Sequence, residues 1–119
     1  MNQADMVYNL LSGVVADLNS RFGCSLVLHQ QKITKKHISV SGANGRLWVS
    51  PSIGGYDISV SGKSLEKELV PTLTSFFGRC ADGYKQKNAN KGFMHQPFWR
   101  TSDFQDVQAV CQMYMKTAK

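Results

Sequence analysis

Residues 36–50 read KHISVSGANGRLWVS. Two runs alternate apolar with short polar side chains on either side of Asn44-Gly45, the dipeptide favoured where a tight turn needs positive φ at both central positions. The stretch is therefore read as a β-hairpin. A two-residue turn at 44 and 45 sets Ala43 opposite Arg46, Ser41 opposite Trp48 and Val40 opposite Val49. Ile38, Val40, Leu47 and Val49 then share one face of the sheet. His37, Ser39, Ser41, Arg46, Trp48 and Ser50 take the other.

Downstream, YDISVSG at 56–62 repeats at 58–62 the ISVSG of 38–42. Two strands of one antiparallel meander account for this, since both must be apolar on one side and small on the other. Tyr56, Ile58 and Val60 extend the core face, and Asp57, Ser59 and Ser61 the opposite one. Upstream, CSLVLHQ at 24–30 alternates Cys24, Leu26 and Leu28 against Ser25, Val27 and His29, which reads as the first strand. Ahead of it, Val7, Leu10, Leu11, Val14, Leu18 and Phe22 recur at helical spacing and predict a helix over 5–22, with Asp5 as its N-cap and Gly23 as its stop. Beyond Ser64, Leu65, Leu69, Leu73, Phe76, Phe77, Cys80 and Tyr84 fit a second helix. Pro71 either kinks that helix or opens a fresh first turn. Ser102 and Gln105 form an S-x-x-Q capping box for the last helix, whose buried stripe is Phe104, Val107, Val110, Cys111 and Tyr114. The predicted order is α-β-β-β-β-α-α. It implies a single two-layer α+β domain over 1–119, a four-stranded antiparallel meander with the N-terminal helix and two C-terminal helices on one face.

A chain of 119 residues that is 42% hydrophobic suffices for one buried core. The first residues lack a basic n-region, and Asn9, Ser12 and Gly13 interrupt their apolar positions, so no signal peptide or membrane span is read there and the expected location is cytoplasmic. The 3 cysteines are odd in number and far apart, with no CxxC pair. That argues against a disulfide scaffold or a thiolate zinc site, and Cys24, Cys80 and Cys111 are each read as small buried hydrophobes. SGKS at 61–64 resembles the end of a phosphate-binding loop, but that motif needs a glycine where this chain has Asp57. HExxH and GxSxG are missing, and His29, His37 and His95 lack metal-ligand spacing. No catalytic residue, metal or cofactor is expected, although a centre assembled from distant residues leaves no local pattern.

The charge is more informative. Lysine and arginine number 14 against 8 acids, a formal charge of +6. The excess concentrates in residues 76–100, where Arg79, Lys85, Lys87, Lys91 and Arg100 face Asp82 alone. Within it, YKQKNANKGFMHQPFWR at 84–100 mixes cations and aromatic rings without an acid. Cations displace the counterions of phosphate chains with little demand on geometry. The partner residues expected are Lys85, Lys87, Lys91, His95 and Arg100, with Arg46 and Trp48 on the sheet as a stacking platform. The expected function is a small basic binding module for nucleic acid or a nucleoprotein. The alternative is a protein-interaction or inhibitor module, of the accessory kind mobile elements carry, bound to an acidic protein surface. Plainer roles are open for the same residues. Lys85 and Lys87 would suit the last turn of the second helix, Trp48 would be hidden by the C-terminal connector, and Trp99 would be core. The order of elements is similar to the α-β-β-β-α of the double-stranded RNA-binding domain, but Ser64-Leu65-Glu66-Lys67-Glu68 replaces that family's lysine-rich opening of the last helix, and no family assignment follows.

Overall fold

The two runs flanking residues 42–45 do pair, and they lie inside a sheet larger than a four-stranded meander. The computed structural model describes residues 3–31, 37–87 and 94–117. In chain order these form α1 (Gln3–Phe22), β1 (Val27–Gln30), β2 (Ile38–Ser41), β3 (Arg46–Ser52), β4 (Gly55–Ser61), α2 (Lys63–Phe77), β5 (Gly83–Lys87), β6 (Met94–Thr101) and α3 (Phe104–Thr117). The class is α+β. Its six strands run in the order β1-β2-β3-β4-β6-β5, each antiparallel to its neighbour. None of the helices described is long and apolar enough to cross a membrane.

The three helices share one side of the sheet. Val40, Leu47, Ile58 and Trp99 meet Leu11 of α1, Leu69 of α2 and Val110 of α3 in one core. Full burial of such a side chain contributes roughly 1.5–3 kcal/mol. Trp99 is wholly buried, stacked 6.0 Å from the Phe77 ring, with its indole N–H donating to the Arg79 carbonyl at 3.1 Å. It is core, as one of its two readings held. Cys111 is buried too, and desolvation pushes its thiol up to about 12.

Several expectations are corrected. The hairpin connection spans four residues, 42–45, not two: Val40 pairs with Leu47, Ser39 with Trp48 and Ser41 with Arg46. The Tyr114 hydroxyl accepts from the Gly42 N–H at 2.7 Å and lies 2.9 Å from the Gly45 carbonyl as donor, so the loop is clasped from α3. Because the slip is an even number of residues, every side chain keeps its predicted face. The second helix does not reach Cys80 or Tyr84. Gly78, left-handed at φ 68°, ends it, and the next residues turn into β5, which replaces the last helical turn expected around Lys85 and Lys87. Pro71 lies inside the continuous helix. At α3 the cap is Asp103, whose carboxylate accepts from the Gln105 N–H at 2.9 Å, and the Thr101 hydroxyl donates to Asp106 at 2.6 Å, so the Ser102–Gln105 box does not form. The first helix begins at Gln3, ahead of Asp5, and leaves Leu10 and Phe22 exposed. Cys80 is exposed, not buried, and Cys24 is intermediate.

Candidate functional site

With all helices on one side, the other side of the sheet is built from the residues that alternate with the core. The register lines them up in rows. His29, Ser39, Trp48, Ser59, Phe98 and Gly83 follow one another across all six strands. Large rings thus alternate with small residues, which gives each ring room to lie over its neighbour. A Cβ at Gly83 would approach the Phe98 ring to 2.7 Å. The row on one side carries Ser41, Arg46 and Ser61, and the row on the other Ser50, Asp57 and Arg100.

Trp48 and Phe98 are each accompanied by a guanidinium. Arg46 lies 5.9 Å from the Trp48 ring centroid and Arg100 lies 5.5 Å from that of Phe98, within the range of cation–π attraction. The Trp48 indole N–H donates to the Ser61 hydroxyl at 2.8 Å, which fixes the plane of a half-buried ring. Arg46 reaches the Ser39 hydroxyl at 3.4 Å. His29 Nε2 and the Ser41 hydroxyl are hydrogen-bonded at 2.7 Å. Between these groups the surface dips into a recess of about 470 Å³, lined by His29, Gln30, Gln31, His37, Ser39, Arg46, Trp48, Ser50, Ser59 and Gln96. Its described lining contains no carboxylate and no helical residue.

The basic stretch is only partly described. Lys91 lies outside the described residues; Lys85, Lys87 and His95 are described by backbone alone, at register positions opposite Gln96, Met94 and Gln86. The two arginines of that stretch are engaged. Arg100 forms two hydrogen bonds with the Asp57 carboxylate, at 2.7 and 3.1 Å, and Asp57 is otherwise buried. Arg79 clamps Asp82 through both carboxylate oxygens at 2.9 Å and donates to the Arg100 carbonyl at 2.8 Å. The Arg79 hydrogen bond, then that from the Arg100 N–H, holds the Asp82 carboxyl below its ordinary value.

Arg46 and Trp48 therefore stand together as predicted, and Arg100 joins the same face two strands away as a paired cation. The described residues of the connector extend the sheet in plane as β5 and β6. Gln96, Phe98 and His29 belong to the face, with Gln30 and Gln31 at the rim of the recess, and were missed as partner residues. Their signal was weak, because Phe98-Trp99 are adjacent apolar residues that face opposite sides, and Pro97 argues against a strand. Among the described residues no group of three or more His, Cys, Asp or Glu side chains is placed to hold a metal. Compared with known proteins, the chain matches no family model, no curated protein and no solved structure at a significant level.

Proposed function

We propose that the protein is a non-catalytic module that binds single-stranded nucleic acid, alone or in a nucleoprotein, across the helix-free face of its sheet. The observation that carries this reading is the pairing of Trp48 and of Phe98 with a guanidinium each, beside a recess without a described carboxylate. Bases stack on aromatic rings and guanidinium planes whatever their identity, and the recess offers such planes to a base that is not already paired. The net charge of +6 supplies long-range attraction to phosphate. Lys85, Lys87, Lys91 and His95 are proposed to meet the backbone where it leaves the sheet. The three free thiols suit a reducing compartment, and the cytoplasm is the proposed location.

Fluorescence anisotropy of a labelled single-stranded oligonucleotide, repeated at increasing salt, tests the reading. The expected result is binding at low salt that weakens log-linearly as salt rises. An absence of binding to single-stranded DNA and RNA at low salt would overturn it. The alternative, an acidic protein surface anchored by the same rings, would then be left, with an affinity set more by buried aromatic anchors than by released counterions.

A further inference from the structure

Two side chains of the recess lean across strand β2 from opposite sides. The register sets His29 opposite Ser39 and Arg46 opposite Ser41. Their hydrogen bonds run diagonally instead: the His29 imidazole meets the Ser41 hydroxyl at 2.7 Å, and the Arg46 guanidinium donates to the Ser39 hydroxyl at 3.4 Å. An imidazole and a guanidinium are thereby drawn together above one strand. His37, two residues before Ser39, lines the same recess. No acidic side chain balances this group. All 8 acids of the chain fall within the described residues, and Asp57, opposite Ser50 on β4, is the one on this face near the recess. Its carboxylate is held by Arg100 of β6 at 2.7 and 3.1 Å. The 32–36 segment between Gln31 and His37 adds Lys32, Lys35 and Lys36 to the sequence and no acid.

Resting on the nucleic-acid reading above, we infer that His29, His37 and Arg46 form a phosphate subsite of the recess, and that a strand binds there together with protons taken up by the two imidazoles. Arg46 meets the phosphate with the N–H donors that its bond to Ser39 leaves over. A hydroxyl both donates and accepts, so Ser41 anchors the His29 ring in either charge state. Histidine is the side chain whose charge changes between about pH 5 and 8, and an anion within ~4–6 Å favours its charged form. Affinity supplied this way is complete at pH values where the free imidazoles are already charged, and it is lost as pH rises past the raised values they hold beside the phosphate. The protein therefore grips a strand more tightly in mildly acidic than in mildly alkaline solution.

The test is an anisotropy titration of labelled oligothymidylate with the full chain, repeated from about pH 5.5 to about 8.5 at constant ionic strength, a range in which lysine and arginine stay charged. Wild type is expected to lose about tenfold or more in affinity across that range. The double variant His29→Gln/His37→Gln should lose most of this dependence, and His95→Gln should keep it. Calorimetry of the wild type near neutral pH, in two buffers of different ionisation enthalpy, reads the proton uptake without any variant, and about one to two protons per bound strand are expected. Binding that is independent of pH, or that takes up no protons, would overturn the subsite and leave the general nucleic-acid reading standing. A dependence that survives in the folded double variant, or that vanishes in His95→Gln, would overturn the assignment to His29 and His37. Failure of wild type to bind the strand at any pH would overturn both readings together.

Discussion

At the scale of single residues, three polar groups hold the sheet in its present form. The Tyr114 hydroxyl is buried at the end of α3 and ties the 42–45 loop through the Gly42 N–H and the Gly45 carbonyl. Tyr114→Phe would orphan both, and a loss of about 1–3 kcal/mol is expected in denaturant unfolding. Burial pushes the Tyr114 hydroxyl above its ordinary value of 10, with the Gly42 N–H opposing. Its contribution is intact below pH 10 and declines as pH rises beyond that toward the raised folded value. Stability curves measured against pH should therefore fall more steeply for wild type than for Tyr114→Phe on the alkaline side. The Asp57–Arg100 pair predicts an asymmetry. Arg100→Met removes two charge-assisted hydrogen bonds from a buried carboxylate, whereas Asp57→Asn removes the charge and leaves Arg100 at the surface. Thermal melts should show the larger drop in Tm for Arg100→Met. The pairing of Arg46 with Trp48 was legible in the sequence because both lie in one alternating run. The engagement of Arg100 was not, since its partner is 43 residues away.

At the scale of elements, the hairpin shows which parts of a strand pattern are robust. Alternation assigned the faces of β2, β3 and β4 correctly even though the turn was misjudged by two residues. The register itself depended on Tyr114, which lies 69 residues beyond Gly45 and gives no local sign of its role. Gly45 has φ 57°, and a Cβ there would collide with the Ser61 carbonyl oxygen. Gly45→Ala should destabilise the protein by more than the roughly 1 kcal/mol of the left-handed conformation alone, measurable as a shift in urea midpoint. The strands β5 and β6 escaped notice for a different reason. Leu65 to Tyr84 keeps a helical rhythm past the true stop at Gly78, and Phe98-Trp99 reads as a staple for the following helix rather than as two faces of a strand. Recognising β6 requires knowing that β4 offers an open edge, a property of the assembled sheet.

At the scale of the whole molecule, the sheet separates two sides: the apolar core and the described helices on one, Trp48, Phe98, guanidinium groups, amides and hydroxyls on the other. The fold class followed from periodicity, and the helix-free face followed from the same alternation, whereas its recess needed β6 to supply Gln96. Charge adds a second level. Replacing Lys85, Lys87 and Lys91 together by alanine should leave circular dichroism unchanged and reduce the slope of log affinity against log salt by about 2–3. An unchanged slope would separate those lysines from the binding surface. The most direct measurement is a pair of ¹H–¹⁵N correlation spectra recorded with and without oligothymidylate, followed at the two tryptophan indole N–H signals. If the helix-free face binds the strand, the Trp48 indole and the backbone of Ser39, Ser59 and Gln96 shift while Trp99 and the outer faces of α1 and α3 stay in place. Shifts confined to the helical layer, or none at all, would contradict it.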